Sequence, residues 1–494
     1  MCAFVLHLAF PRANLPWLAV PALAGLFAVW SSLSMRDAAI VGYVTGVVFF
    51  AFDASWVGET AGSLLGPFAF VLDIAPALLE AWAFAVAAVI TAYAAQRLYG
   101  AWIPLVAAAG FSCVEWLRSI GILGAPFYQI GTPFVATPLA PLAASIGGGG
   151  LTFVVALAAA ALARAARERK RASILSASFT LGAIALATGA AWSAWPARSV
   201  LPGTIRVAAI QGNITQTLKW GGAPALATAT ERYVSMTQSL AAFHPQLVVW
   251  PETVITTYLV LDPAIAHANP DLAREANRLQ RRFGALARSL DTQLVIGSVE
   301  AGATDEYNDL FVFDAGGALS AVYRKRQLVP FAEFLPGPAW LRALPFASLV
   351  SHFGHGTSAA VIGPLGIAPL ICWESAFGDL AQAQAARGAR LLVIATDDAW
   401  FGVTDGPYVH AQIARLRAVE TGRWVIRAAA TGISGIIAPD GTWRARSSLA
   451  TQAVITGTVG PPEPTLFSRF GPQPVGLALT LLAALGCLLG RRRT

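Results

Sequence analysis

The sequence predicts a multi-span α-helical membrane domain joined to an α/β layered domain that lies outside the lipid. Composition indicates the membrane part, because 56% of the 494 residues are hydrophobic and only 12% are charged, against about 25% in soluble domains. The α/β part is indicated by residues 197–470, where polar loops of ordinary charge content separate short β-rich runs. One chain thus combines a lipid-embedded part with a water-exposed part.

Apolar stretches of spanning length fill the first 196 residues, since a helix needs about 20 residues to cross a bilayer. In one of them Asp73 and Glu80 flank Pro76, so this span is predicted to begin near Pro76. The first ten residues, MCAFVLHLAF, are too short to span, and they are either part of an incomplete span or an interfacial piece. The predicted spans are roughly 15–33, 38–58, 66–96, 101–121, 140–163, 172–195 and 474–490.

Basic clusters predict the orientation of these spans, because loops rich in Lys and Arg stay in the cytoplasm. The run RAARERKR at 164–171 and the arginines at 491–493 are both predicted to be cytoplasmic. The span between them and the α/β part then leaves the cytoplasm, so residues 197–470 lie outside it. In a two-membrane bacterium this is the periplasmic side of the inner membrane. Three domains are predicted: an N-terminal transmembrane domain, an extracytoplasmic α/β domain and a C-terminal transmembrane helix with a basic tail (1–196, 197–470 and 471–494).

The net charge of +7 does not indicate a nucleic-acid partner. Much of the positive charge lies in short clusters beside the apolar segments, as expected for cytoplasmic loops of a membrane protein. No Cys/His metal spacing is present, and His352 and His355 in SHFGHG have no third ligand nearby in the sequence. We therefore expect no metal, no cofactor and no nucleic acid.

Strands alternate with helices in residues 197–470, which favours an α/β layered fold. Several strands are near-continuous apolar runs, typical of strands buried on both faces. Glu252, Cys372 and Asp397 fall where such runs end, and sites assemble at the carboxyl ends of strands in open α/β sheets. The predicted strands lie at 204–214, 247–253, 293–300, 311–317, 369–375, 390–401, 424–432 and 434–441, and the helices at 225–241, 271–290, 376–388 and 407–422.

Cys372 is the cysteine of interest. The other three cysteines lie in strongly apolar stretches, so no disulfide is predicted for Cys372. A lone buried cysteine is commonly a small hydrophobic residue. The alternative, a nucleophile, needs a base and a cation nearby, because a thiol titrates near 8.5 and must lose its proton to react.

Three motifs resemble the Glu–Lys–Cys signature of the nitrilase (carbon–nitrogen hydrolase) superfamily. They are WPET with Glu252, YRKRQLVPFAEFLP with Lys325 and Glu333, and ICWES with Cys372. The resemblance implies a nitrilase-like αββα sandwich. It also implies that Cys372 is the nucleophile, Glu252 its base and Lys325 the cation that stabilises the oxyanion.

The whole chain resembles one family of this superfamily, the apolipoprotein N-acyltransferases of bacterial lipoprotein maturation. The resemblance rests on the spans and on five further motifs, QGNITQTLKW (211–220), LVPFAEFLP (328–336), DDAWFG (397–402), VEWLR (114–118) and GAPFYQIG (124–131). It implies a ping-pong reaction without a cofactor. Cys372 takes an acyl chain from the sn-1 ester of a phospholipid and passes it to the α-amine of a diacylglyceryl-cysteine on an apolipoprotein.

The resemblance also implies supporting roles for other residues. Glu333 and Glu374 match functional acids, Trp220 matches a tryptophan tied to activity, and the backbone N–H of Trp373 is expected to be a second oxyanion donor. Each assignment has a structural alternative. The two acids can be salt-bridge or capping residues, and Trp220 can be core filler. Glu252 can be an acid of a first helical turn, and Lys325 a solvated lysine between two arginines.

Some positions depart from the family pattern. Ala332 stands where the family usually has glycine, and its methyl group is expected to crowd the loop next to Glu333. Asp397 stands where the family usually has asparagine, which places two acids side by side. Two other functions therefore stay open. One is a membrane-tethered amidase with water or a small amine as acceptor, and the other is a non-catalytic membrane-bound paralogue.

Overall fold

The computed structural model describes residues 1–53, 55–58, 69–195, 204–219, 221–338, 340 and 350–491. The chain divides into two compact units that interleave in sequence. The first unit comprises Met1–Ala197, Thr404–Glu420 and Thr465–Thr494, and the second comprises Arg198–Val403 and Thr421–Pro464.

The first unit is helical. Its longer helices are Ala19–Trp30, Met35–Asp53, Ala69–Glu80, Trp82–Arg97, Trp102–Leu117, Ala143–Glu168, Arg171–Ser193, Gly406–Thr421 and Gln473–Arg491. Among the described residues, five segments are long and apolar enough to cross a membrane: Met35–Phe52, Ile74–Arg97, Ala140–Glu168, Arg171–Ser193 and Gln473–Gly490.

Two of the predicted spans are shorter than expected. The stretches at 15–33 and 101–121 form the apolar helices Pro16–Trp30 and Trp102–Leu117. The span that was predicted to begin near Pro76 begins at Ile74, as its proline and acids suggested. The first residues, Cys2–His7, form a single six-residue helix.

The surface of the first unit suits lipid better than water. Along Arg171–Ser193 the buried residues are Ser173 and Ala177, whereas Phe179 is 79% exposed and Leu186 is 76% exposed. Exposed apolar side chains in a continuous row would be unfavourable in water but match the hydrocarbon of a bilayer.

Polar contacts inside the first unit involve two of the quoted motifs. Glu115 of VEWLR accepts hydrogen bonds from the backbone N–H of Ile130 (3.0 Å) and the hydroxyl of Thr152 (2.7 Å). Arg118 pairs with Glu80 and donates to the backbone oxygen of Ala125. These contacts join three helices to the GAPFYQIG loop. They also give each polar group a partner, which matters because unpaired polar atoms are costly in apolar surroundings.

The second unit contains two mixed sheets. Their strands are β1 (Ile205–Gln211), β2 (Leu247–Val249), β3 (Tyr258–Leu261), β4 (Gln293–Ala301), β5 (Glu306–Phe313), β6 (Leu319–Arg324), β7 (Ile367–Ile371), β8 (Leu391–Thr396), β9 (Trp424–Ala429), β10 (Gly435–Ile437), β11 (Trp443–Arg446) and β12 (Ala453–Val459). The first sheet has the order β12-β1-β2-β4-β5-β6, with β3 paired to β4, and the second has the order β11-β10-β9-β8-β7.

The two sheets pack face to face and form the predicted αββα sandwich. Val207 and Val249 of the first sheet share a buried cluster with Ile371 and Val393 of the second. Helices Gly222–Gln238 and Pro270–Ser289 cover the outer face of the first sheet through a second cluster that includes Tyr233, Leu279 and Phe283. Helix Gly378–Ala386 lies against the second sheet, where Gln384 donates to the backbone oxygen of Pro369 (2.8 Å).

Four strands differ from the sequence-based assignment, because β3, β6, β11 and β12 were not predicted. Three of them are edge strands and the fourth lies off the main path of its sheet. In β6 and β11 buried or half-buried positions alternate with exposed ones. Such strands lack the continuous apolar run that marks a strand buried on both faces.

Candidate active site

The predicted site residues lie at the carboxyl ends of strands from both sheets. Glu252 follows β2 after Trp250 and Pro251, and Asp397 comes directly after β8. Lys325 comes directly after β6, and Cys372 directly after β7. The sandwich therefore gathers residues that are far apart in sequence, as expected for strand ends in α/β folds.

Glu252 and Lys325 are in direct contact. Lys325 Nζ lies 2.9 Å from Glu252 Oε1 and 2.8 Å from Glu333 Oε1, and all three side chains are buried or nearly so. Asn308 Nδ2 donates to the same two carboxylate oxygens at 2.7 and 3.0 Å. The second oxygen of Glu252 accepts from the backbone N–H of Asp397 at 2.9 Å. Glu252 is thus fixed by two side chains and one backbone N–H from three different segments.

Glu333 is held by its own loop. Its Oε2 accepts from the backbone N–H of Val329 at 2.8 Å, while its Oε1 faces Lys325 and Asn308. The neighbouring Ala332 is exposed. The expected crowding of the loop by its methyl group is not supported, because Ala332 is exposed in the described part of the chain.

Cys372 occupies a strained turn. Its φ is +48°, which is a left-handed backbone conformation that residues other than glycine adopt only at an energetic cost. The residue begins the short 3₁₀-helix Cys372–Ala376 and is partly exposed. Ser375 donates to the Cys372 carbonyl oxygen at 2.8 Å. Backbone strain of this kind clusters at active sites, which supports the prediction that Cys372 is the nucleophile.

Glu374 anchors this turn to the segment that carries Lys325. Its carboxylate accepts from the backbone N–H of Ile371 (2.8 Å) and of Arg326 (2.7 Å), and from the hydroxyl of Tyr323 (3.1 Å). Burial raises the pKa of Glu374, against the opposing charge of Arg326. The contacts support the structural alternative for Glu374, because its oxygens are used in joining the two loops.

Replacing Glu374 by alanine should therefore destabilise the second unit. The change leaves buried N–H groups without acceptors, at about 3 kcal/mol, which corresponds to roughly 6–12 °C in Tm for a unit of this size. Thermal denaturation in detergent measures it. The control is Glu231→Gln in the exposed pair with Arg282, which should leave Tm unchanged. An inactive Glu374→Ala protein with unaltered Tm would instead assign Glu374 to the chemistry.

The charges of the site set the resting protonation states. Burial alone would raise the pKa of Glu252, but the Lys325 ammonium outweighs it and the pKa of Glu252 lies below its ordinary value. Burial alone would lower the pKa of Lys325, yet Glu252 and Glu333 hold it well above. Burial raises the pKa of the Cys372 thiol well above its ordinary value, and the charge of Glu252 adds to this, against the opposing charge of Lys325. At neutral pH the site therefore holds a thiol, a carboxylate and an ammonium.

The two adjacent acids of DDAWFG have separate partners. Asp397 pairs with Lys219, with 2.6 Å between Nζ and Oδ2. Asp398 pairs with the fully buried Arg427 at 2.8 Å. The two acids that stand side by side in the sequence therefore each pair with a cation of their own.

The structure brings Glu252, Lys325, Glu333 and Cys372 to one end of the sandwich. Glu374 joins the turn at Cys372 to the segment of Lys325, and the ring of Trp373 packs edge-on against Phe377. Trp220 lies outside the described residues. Sequence reasoning did not identify Asn308 or Lys219, and a polar residue within the strand EYNDLFVF was the available signal for Asn308.

The chain belongs to the carbon–nitrogen hydrolases, because the sequence model of that family (Carbon-nitrogen hydrolase) matches residues 206–463, the part of the chain that forms the four-layer sandwich. A second model, of the apolipoprotein N-acyltransferase N-terminal domain, matches residues 2–161. Among solved structures, Nit3 of Saccharomyces cerevisiae, a nitrilase-superfamily member, is 20% identical and covers 53% of this chain and 92% of its own, with a TM-score of 0.41.

Relatives over nearly the whole chain carry one name. The apolipoprotein N-acyltransferase of Azotobacter vinelandii is 33% identical over 98% of this chain and 93% of its own. That of Brucella suis is 32% identical over 93% of this chain and 87% of its own. The chain belongs to the apolipoprotein N-acyltransferase family, which confirms the resemblance seen in its motifs.

Proposed function

We propose that this membrane protein transfers an acyl chain from a phospholipid, through a thioester on Cys372, to the N-terminal amine of a diacylglyceryl-cysteine on lipoproteins. The observation that carries the proposal is the contact between Glu252 and Lys325, whose charges both act on the Cys372 thiol. Family membership supports the choice of substrates. No nucleic acid, metal or cofactor takes part in the proposed reaction.

The first half-reaction forms the thioester. Glu252 takes the thiol proton while Cys372 Sγ attacks the ester carbonyl, and the new oxyanion is stabilised by Lys325 and by the backbone N–H of Trp373. When the tetrahedral intermediate collapses, the ester C–O bond breaks and the proton on Glu252 passes to the departing lysophospholipid. The acyl group remains on sulfur and Glu252 is ionised again.

The second half-reaction consumes the thioester. The neutral α-amine of the acceptor attacks the thioester carbonyl, and Glu252 receives a proton from the amine. The C–S bond then breaks, the thiolate regains its proton from Glu252, and an amide leaves. Glu333 and Asn308 support both halves by holding Glu252 and Lys325 in place.

The proposed setting is the bacterial inner membrane, with residues 197–470 in the periplasm between the domains at 1–196 and 471–494. Spans precede and follow the α/β part in sequence, which tethers the thiol to the bilayer that contains both lipid substrates. Confining enzyme and substrates to one surface makes productive encounter easier. A soluble amide would need no such tether, so this arrangement favours the acyltransferase over an amidase.

Orientation can be tested with reporter fusions. A reporter joined after Pro464 should lie outside the cytoplasm, and a reporter joined after Arg493 should lie inside it, because the basic runs stay in the cytoplasm. Alkaline phosphatase reports the outside location by its activity, and green fluorescent protein reports the inside location by its fluorescence. A cytoplasmic reporter after Pro464 would contradict the proposed compartment.

Acyl transfer itself can be tested with defined substrates. The protein in lipid vesicles is incubated with a diacylglyceryl-cysteine peptide that has an unblocked α-amine, and product mass is followed. We expect a third acyl chain on the peptide and an equal amount of lysophospholipid. A matched peptide with an acetylated α-amine should gain none. Hydrolysis of a short amide in place of transfer would instead support the amidase.

A further inference from the structure

Lys219 and Asp397 form a buried ion pair beside the proposed base. Both side chains are less than 5% exposed, and Lys219 Nζ lies 2.6 Å from Asp397 Oδ2. Gln216, on the same four-residue helix as Lys219, donates to the same oxygen at 2.9 Å. Asp397 is therefore held by two donors of one short segment.

The pair is connected to Glu252 on both of its sides. The ammonium of Lys219 also donates to the hydroxyl of Thr253, the residue after Glu252. The backbone N–H of Asp397 donates to Glu252 Oε2 at 2.9 Å. Glu252, Thr253, Lys219 and Asp397 thus form a closed ring of hydrogen bonds and covalent links. Thr253 has a φ of +43°, so the ring also holds a strained backbone in place.

A buried ion pair by itself is weak evidence for stability. The position of this pair in the ring around Glu252 therefore points to a second role. Lys325 and Asn308 fix one oxygen of Glu252, and the backbone of Asp397 fixes the other. A base that must accept a proton at one defined position gains from having both oxygens held.

We propose that Lys219 and Asp397 are a positioning pair for Glu252, in which Lys219 holds Thr253 through its hydroxyl and Asp397 offsets the charge of this second buried ammonium. The inference rests on the thioester chemistry proposed above. The pair touches neither substrate nor thiol in this account and acts through Glu252.

Charge balance makes the pair testable through pH. The Lys219 charge is among the causes that lower the pKa of Glu252, after burial, which opposes, and Lys325. Without the ammonium, the carboxylate of Asp397 would stand unopposed and raise the pKa of Glu252. Acylation needs ionised Glu252, so the acylation rate of the variant should begin to fall at a higher pH than that of the wild type. We call this falling part of the pH profile the acidic limb. In the described part of the chain, the charged or titratable groups around Glu252 are Lys325, Glu333, Lys219, Cys372 and Asp397.

The experiment measures single-turnover acylation of Cys372 against pH for the full-length protein in vesicles of one defined phospholipid. Lys219→Gln removes the charge and keeps a donor, and we expect its acidic limb to rise by about one pH unit. Asp397→Asn should not raise the limb, and the Lys219→Gln/Asp397→Asn protein should return it to the wild-type position. Arg282→Gln, a like change of charge in an exposed pair, should have no effect.

A second comparison separates the tether from the charge. The Lys219→Met/Asp397→Asn and Lys219→Gln/Asp397→Asn proteins both lack buried charges at the pair and differ in whether residue 219 can donate. At the plateau of the pH profile, the methionine protein should be acylated at least about tenfold more slowly than the glutamine protein. This comparison also decides the matter if Lys219→Gln alone does not fold.

Two results would overturn the inference: a wild-type acidic limb in Lys219→Gln, or equal plateau rates in the two double variants. Either would mean that the pair serves stability alone. Failure of the underlying function looks different, because then the wild-type protein itself would form no adduct on Cys372.

Discussion

Replacing Cys372 by serine should lower the rate of lysophospholipid release by at least about 10⁴-fold. The hydroxyl is nearly the size of the thiol, so the turn at the end of β7 is kept. Glu252, whose pKa lies below its ordinary value, is too weak a base to activate an alcohol. Single-turnover release from a fluorescent phospholipid measures the effect.

Cys487→Ser is the matched control for Cys372→Ser. It makes the same chemical change in the C-terminal helix Gln473–Arg491, outside the α/β sandwich, and should retain the wild-type rate. Turnover near the wild-type level in Cys372→Ser would remove Cys372 from the mechanism, whatever the control shows.

Replacing Lys325 by arginine should lower the rate of thioester formation by roughly 10² or more, the usual scale for the loss of one oxyanion donor. Lys325 Nζ sits within 2.9 Å of two carboxylate oxygens in a buried site. A planar guanidinium is larger and spreads its charge, so it cannot occupy that point and face the oxyanion. Single-turnover acylation of Cys372 is the measurement.

The neighbouring arginine supplies the control for Lys325→Arg. Arg326 Nε donates to the hydroxyl of Tyr323 at 3.1 Å, while its backbone N–H serves Glu374. Arg326→Ala keeps that backbone contact and should change the acylation rate little. If it were the severe variant and Lys325→Arg the mild one, the cation would be misassigned.

The fold was predictable where strands and spans have strong patterns. Continuous apolar runs identified β1, β8 and β9, which are covered on both faces. β6 was missed because its exposed and half-buried positions alternate at a sheet edge. The consequence is local, since the polar residue after that strand, Lys325, was still found from its motif.

The site was predictable only in part. Glu252, Lys325 and Cys372 stand in recognisable motifs, but the contacts that hold them in place cannot be read from those motifs. Asn308 lies 56 residues from Glu252 in sequence, and Lys219 lies 178 residues from Asp397. No local pattern encodes contacts of this range, because they form only when a residue within β5 and a residue of the helix Gln216–Lys219 meet distant segments in the folded protein. The sequence showed an aspartate at 397 in place of the family's usual asparagine, but it did not show that Lys219 is its ion-pair partner.

Intact-protein mass spectrometry tests the central claim, that Cys372 carries the acyl chain. The wild-type protein is incubated with vesicles of one phospholipid and no acceptor, then digested to locate any added mass. We predict one acyl group on the peptide that contains Cys372, labile to hydroxylamine as a thioester is, and lost when a diacylglyceryl-cysteine peptide is added. Lysophospholipid release without an adduct, or an adduct on another residue, would contradict the account.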